Sequence, residues 1–265
     1  MKTYLPLMST REIREAAQRG AVALLPIGTV EGNGPLPLGY DYLVPKALAE
    51  EAARANQDVW LPPLTYGVSD SILSFPGTVA ISPDLVEQYV ETLALGLIDS
   101  GFDHICLLTY HIPNLYPVST AMRTVRKKTG VVMASLNPGV LQADLRGDLF
   151  NNDHSVFGHG GEPGASLLEY LHPGSVRLDL AQPSARNAYQ DLELLSPMEA
   201  RFGESRVNLP VRIENVSRSS GWGDASMPCA KRGEELFRRM ADYVAEFTRH
   251  FRTMDARIKP PAIAF

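Results

Sequence analysis

The chain has 265 residues, 45% of them hydrophobic, enough apolar side chain to fill a sizeable core and to exclude a disordered protein. Its 25 basic and 30 acidic residues are well mixed and leave a formal charge of −5; without a basic stripe to neutralise phosphates, nucleic acid is excluded as a partner. No apolar run reaches the ~18 to 20 residues of a membrane span, the N-terminus lacks a charged segment leading into an apolar one, and Cys106 and Cys229 lie far apart without a C-x-x-C spacing, so the expectation is a cytoplasmic protein with reduced thiols and no membrane partner.

In chain order, a Val- and Leu-rich run over residues 21–27 reads as the first strand, and residues 31–41, EGNGPLPLGYD, as a Gly/Pro-rich loop behind it. Residues 41–56 form an Ala- and Glu-rich helix in which Pro45 is tolerated near the first turn. Strands are expected at 59–63 and 78–81. Ser82 then caps a helix with Pro83 at its first position and Leu85, Tyr89, Val90, Leu93 and Leu97 on one face. Further strands follow at 104–109 and 130–135. The stretch 137–164 has little apolar periodicity and many Gly, Asn and Asp residues, which reads as loop with one helical turn; a second irregular region runs from Pro183 to Met227. From Lys231, Leu236, Phe237, Met240, Tyr243, Val244 and Phe247 repeat at helical spacing and make a docking helix. Short apolar runs alternating with helical segments predict an α/β fold, a mostly parallel sheet flanked by helices, in one domain over residues 1–265 without internal repeats or linkers.

In such a sheet the ligand crevice lies beyond the carboxyl ends of the strands. Three segments there carry chemistry. The first strand leads to Glu31 and, across its loop, to Asp41; the strand HICLLTY runs into His111, with Asn114 just behind; GHGGEPGASLLEYL puts His159 before two glycines and a helix start. Each residue also has an ordinary use. Glu31 can receive backbone N–H groups of its turn, Asp41 can be the N-cap of the next helix, His111 can be a hydrogen-bonded histidine of the interior, His159 can be loop filler, and Glu162 can be a charge at a helix N-terminus.

Their order and surroundings resemble the creatininase (creatinine amidohydrolase) family. LLPIGTVEGNGPLPLGYD is similar to its first motif, a strand followed by Glu-x-His-Gly, Leu-Pro and an Asp; Phe75 to Thr78 resembles its Phe-Pro-Gly-Thr segment; LLTYHIPN its Asn-Gly-His strand end; GHGGEPGAS its His-Ala/Gly-Gly segment, which aligns His159 and Ser166; and GWGDASMPCAKRG its tail, with Gly223, Asp224, Ala230 and Gly233. The resemblance implies a two-metal centre that activates water against a carbon–nitrogen bond of a small, usually cyclic, amide. Glu31 and His111 would be terminal ligands, Asp41 the bridging carboxylate and His159 the acid/base. It also implies a homo-oligomer, often a hexamer, acting on a small-molecule substrate.

The departures fall on the metal. Asn33 stands where the pattern has His, a His before Leu-Pro is absent, the loop from Glu31 to Asp41 is shorter by one, Pro113 and Gly164 stand where a last carboxylate ligand would be, and Ser71-Ile72 replaces a Glu-His pair. An amide is a feeble ligand beside imidazole, so each metal site is expected to lack a ligand. Glu31, Asp41 and His111 are left to hold one zinc or manganese ion or to work without metal, and Asn33, Tyr40, Tyr110, Asn114 and Trp222 are left to contact substrate. Three functions compete on this reading: a hydrolase with one metal or none and His159 as proton donor; a metal-independent lyase or isomerase acting on a sugar-like or keto substrate; and a non-catalytic binding descendant.

Overall fold

The structure, a computed structural model, describes residues 1–151, 156–181, 188–196 and 198–257. Helix α1 (Thr10–Gln18) opens with a capping box in which Ser9 and Glu12 satisfy one another's backbone. Strand β1 (Ala23–Ile27) follows, then α2 (Tyr40–Asn56), β2 (Val59–Trp60), α3 (Pro83–Asp99), β3 (Ile105–Thr109), α4 (Leu115–Thr129) and β4 (Ala134–Leu136). The four strands pair in the order β2-β1-β3-β4, all parallel. Both faces of a parallel sheet are covered by helices, and the side chains divide accordingly: Leu24, Cys106 and Leu108 pack with α2 on one side, while Ala23, Leu25, Ile27, Ile105 and Leu107 pack with α1, α3 and α4 on the other.

Pro26 sits in this central strand although it has no N–H to give the ladder. The alternation of β1 explains it. Leu24 and Pro26 direct their carbonyls to Leu61 and Leu64, on the side of β2, while Ile27 serves β3 through Tyr110. Strand β2 ends at Trp60, so the missing donor faces a place where no strand runs. Pro62 and Pro63 themselves stop β2 short of the expected 59–63.

Other expectations shift in the same local way. Residues 78–81 are not a sheet strand; Val79 and Ala80 make only isolated bridges to Val30 and Gly67. The buried stripe of α3 is Val86, Val90, Ala94 and Leu97, whereas Leu85 and Tyr89 are exposed. Within 137–164 there is a full helix, α5 (Pro138–Leu145), capped by Asn137, and α6 (Gly164–Leu171) begins where the sequence places a helix start; residues 152–155 lie outside the described residues. The second irregular region, from residue 188 onward, holds an antiparallel meander of β5 (Ala188–Tyr189), β6 (Leu192–Ser196), β7 (Glu199–Phe202) and β8 (Ser205–Asn208). Helix α7 (Ala230–Phe251) closes the α2 side, with nine buried residues including Leu236, Phe237, Met240 and Val244.

The Ala230-x-x-Gly233 spacing at the start of α7 has a steric cause. A Cβ on Gly233 would lie 1.9 Å from the Ser166 carbonyl oxygen, so α6 and α7 meet backbone to backbone. Overpacking costs about 1 to 3 kcal/mol where neighbours can move, and here the neighbour is a helix main chain. Gly233→Ala is expected to cost about 3 kcal/mol or more, read as a drop in the urea midpoint at unchanged slope; a midpoint equal to that of the unsubstituted chain would show that the helices are not in this contact.

Candidate active site

Beyond Ile27 the chain leaves the sheet through Gly28 and reaches Glu31. A Cβ on Gly28 would lie 2.2 Å from the carbonyl oxygen of Asp41, so the strand end rests directly on the first turn of α2. Pro45 helps, because it has no N–H to bond the Asp41 carbonyl as the fourth residue along a helix normally would. The N-cap of α2 is Gly39; Asp41 is therefore not the cap but lies in the first turn, where the helix dipole favours a carboxylate. From the neighbouring strand β3, Tyr110 and His111 emerge beside it.

These segments bring Glu31, Asp41 and His111 together, with 2%, 4% and 8% of their surface exposed. His111 Nδ1 is 2.8 Å from Asp41 Oδ2, and its Nε2 is 2.7 Å from the Val68 carbonyl and 3.4 Å from Glu31 Oε2. His159 completes the group from the other side. Its Nε2 is 3.1 Å from Glu31 Oε1, its Nδ1–H donates to the Ser220 carbonyl at 2.7 Å, and its ring stacks on Trp222 at 5.0 Å between centroids. Glu31 thus lies between two imidazoles.

The charges follow from this packing. Burial acts to discharge His111, but the facing carboxylates of Glu31 and Asp41 outweigh it and push its pKa up to about 9. Burial likewise opposes charge on His159, and Glu31 again wins, raising the imidazole above its ordinary value. Burial raises both carboxyls. At Glu31 the two imidazoles reverse that and hold it below the usual range, whereas Asp41 stays above it, since the nearby Glu31 charge adds to burial.

The loop of His159 is assembled by close main-chain contact. A Cβ on Gly161 would sit 2.4 Å from the backbone of Gly223, and one on Gly160, at φ 72°, would sit 2.8 Å from the Asn33 carbonyl. Trp222 and Gly223 both donate their N–H to the His159 carbonyl. Glu162 accepts from the backbone and hydroxyl of Ser166 and from Arg232, so it does serve the start of α6, and it pins the loop to α7 as well.

The remaining candidates separate. Asn33 is buried beside Glu31 and donates to its carbonyl at 3.3 Å. Tyr40 and Tyr110 lie in the core cluster, their hydroxyls bonded to each other and to Gln142. Asn114 is fully buried, and its amide bonds Val68 N–H and the Gly28 carbonyl. Trp222 is half-buried against His159. Sequence reasoning missed Val68 and Ser220, whose carbonyls orient the two imidazoles; a main-chain acceptor carries no signature in residue type. It also missed Gln142, which lay in a stretch read as loop.

Among the described residues, Glu31, Asp41 and His111 are the group of three able to hold a metal, with ligand atoms within 4.8 Å of one another and all buried. Glu31 Oε2 is buried with no hydrogen bond, the nearest imidazole nitrogen being 3.4 Å away, and a buried oxygen in this state is open to a cation or a water. The donor set, two carboxylates and one imidazole, suits zinc or manganese, so the residues present fit one ion. Neither Asn33 nor Pro113 adds an anionic or imidazole ligand for a second.

The family model described as "Creatininase: Creatinine amidohydrolase" matches residues 6–248. The chain belongs to the creatininase family. Among solved structures, one of creatinine amidohydrolase (creatininase) superposes with a TM-score of 0.81 at 18% identity, covering 96% of this chain and 99% of that one, and one described as "Creatininase Mn" also reaches 0.81 at 18%, covering 94% and 98%. The creatininase-like fold is thereby confirmed. The mycofactocin precursor peptide peptidase of Mycolicibacterium smegmatis is 26% identical over 249 residues, 90% of this chain and 89% of the relative. The 3-dehydro-scyllo-inosose hydrolase of Thermotoga maritima is 27% identical over 110 residues, 41% of this chain and 35% of that relative's length. These named relatives, a creatinine amidohydrolase, a peptide peptidase and an inosose hydrolase, are hydrolases. No helix of the described residues is long and apolar enough to cross a membrane.

The raised pKa of His111 gives the metal-free protein a pH signature. The folded ring holds its proton up to about 9, against an ordinary 6.5, so its contribution to stability is complete below about 6.5 and is lost as pH rises through about 9. In chelator, the melting temperature is expected to fall across that window, and His111→Asn should flatten the fall. A slope unchanged in the variant would assign it to other groups.

Proposed function

We propose that this creatininase-family chain is a hydrolase that holds a single divalent ion, zinc or manganese, on Glu31, Asp41 and His111 and cleaves a carbon–nitrogen bond of a small polar, amide-containing substrate. The observation that carries this reading is the buried three-residue cluster with an unsatisfied Glu31 oxygen. An ion bound there supplies a water of lowered pKa and polarises the carbonyl under attack.

The protein's own groups supply the proton. His159 gives Nδ1–H to the Ser220 carbonyl and presents Nε2 to the Glu31 carboxylate, so both nitrogens carry protons at rest and the ring is an imidazolium. A leaving nitrogen placed beside Nε2 takes that proton as the carbon–nitrogen bond breaks, leaving the ring neutral, and the proton of the newly formed carboxylic acid restores the imidazolium, which Glu31 stabilises before and after the transfer. Trp222 keeps the ring plane fixed from one side, and Asn33 is the polar side chain beside the cluster for orienting a substrate. The named relatives act on a precursor peptide and on 3-dehydro-scyllo-inosose; hydrolysis is what they share, and we read it as the activity here too. The family resemblance also supports a homo-oligomer, a hexamer being the first form to look for by light scattering.

A second reading has its own observation. Both nitrogens of His111 are engaged without an ion, and the two imidazoles already balance the two carboxylates. Such a cluster can move protons unaided, as a lyase or isomerase requires.

Metal analysis of protein offered zinc and manganese decides between them. One equivalent per chain is expected, lost in Asp41→Asn; near zero would favour the metal-free reading, as would product without oxygen from labelled water. His159→Gln should retain the ion and lower kcat by about 10²- to 10⁴-fold, the usual worth of general acid catalysis. Turnover at the unsubstituted rate would remove His159 from this role.

A further inference from the structure

Asn114 has no surface exposure, yet it is a polar side chain three residues past His111 in the same turn. Both ends of its amide are committed to main chain. Oδ1 accepts from Val68 N–H at 2.9 Å, and Nδ2 donates to the Gly28 carbonyl at 2.9 Å. Those two backbone groups belong to the segments that shape the candidate metal site: Gly28 is where the chain leaves β1 for Glu31, and Val68 offers its carbonyl to His111 Nε2 at 2.7 Å.

We infer that Asn114 is the positioning residue for His111, fixing through Val68 that Nε2, on the Glu31 side, is held as an N–H by main chain while Nδ1 is left to Asp41. A carbonyl can only accept, so the nitrogen bonded to Val68 must carry a proton. The lone pair available to an ion is then on Nδ1, which lies 2.8 Å from Asp41 Oδ2 and so on the side where that carboxylate would share the ion. A metal-bound histidine commonly gives its other N–H to a fixed acceptor, which sets tautomer and ring angle. Here the acceptor is a main-chain carbonyl in a loop whose flanking residues are tied by the Gly67–Ala80 bridge and the Thr29–Ser69 hydroxyl pair, and the Asn114 amide is the side chain that bonds the acceptor residue itself. By gripping Gly28 at its other end, the same side chain keeps the Glu31 segment in register with the ring.

This inference rests on the single-ion reading for its metal consequence, and the experiment separates the two. Zinc affinity would be measured by chelator competition in the unsubstituted chain, in Asn114→Ala, in the isosteric Asn114→Asp, whose carboxylate repels the Gly28 carbonyl, and in Asn56→Ala. The last removes an amide that bonds Ala245 O and Thr248 Oγ1 far along the chain from the site. In parallel, the ring Nε2–H of His111 would be followed in proton–nitrogen spectra of the metal-free proteins. Both Asn114 variants are expected to bind zinc about 10- to 100-fold more weakly and to lose the Nε2–H signal to solvent exchange, with both properties intact in Asn56→Ala. Unchanged zinc affinity with a persistent Nε2–H signal in either folded Asn114 variant would overturn the inference, as would an equal loss in Asn56→Ala. If the unsubstituted chain binds no zinc, the single-ion reading falls, and the Nε2–H signal alone still decides the role of Asn114.

Discussion

Two carboxylates, Glu31 and Asp41, have been taken almost entirely out of water within reach of each other. Removing a charge from water costs on the order of several kcal/mol per ion even after relaxation, and two like charges add their repulsion. The rest of the site exists to meet that cost. His111 and His159 approach from separate segments as compensating cations, their other nitrogens are tied to the Val68 and Ser220 carbonyls, and the sheet is arranged so that β1 and β3, adjacent and parallel, deliver Glu31 and His111 side by side. The two carboxyls differ in consequence: the imidazoles hold Glu31 below its usual range, while burial and the Glu31 charge hold Asp41 above it.

The sheet was legible because its strands, buried on both faces, are continuous apolar runs, and because the helices beside them carry caps and periodic faces that local chemistry sets. The candidate residues were legible for a related reason: Glu31 and His111 stand just past strand ends, where side chains are aimed into the crevice. What could not be read was anything depending on the main chain of distant segments. Asp41 passes for an N-cap until Gly39 is seen to hold that place, and Asn114 passes for a substrate contact until both ends of its amide are found on backbone. The meander from β5 to β8 escaped because it buries so little, with Leu194, Ala200 and Val211 as its core. Its turns were nonetheless signalled, by Gly203 after Phe202 and by Gln190 and Asp191, which adopt positive φ.

Family membership and metal chemistry are separable in this chain. The frame that places Glu31, Asp41, His111 and His159 is that of the creatininases over 96% of the chain, whereas the positions Asn33 and Pro113 have exchanged ligand chemistry for an amide and an imino acid. Glu31, Asp41 and His111 converge on the one position where, on the proposed reading, a cation would sit. On the proposed reading, the three retained ligands would suffice to activate water, and Asn33 would be left to hydrogen-bond substrate.

The main-chain contacts among the loops that carry Asn33, His159 and Trp222 bear on how such a site changes over time. Because Gly160, Gly161 and Gly223 bring these loops together with no intervening side-chain volume, the framework depends on them, and on the side chains of Glu162 and Ser220 that tie the loops, more than on the displayed Asn33, Pro113 or Trp222. Substitutions at the displayed positions alter reactivity without disturbing the scaffold, while substitutions at the glycines disturb the scaffold before they reach the chemistry. Mutational libraries aimed at new substrates therefore belong at Asn33, Pro113 and Trp222, with the glycines left untouched.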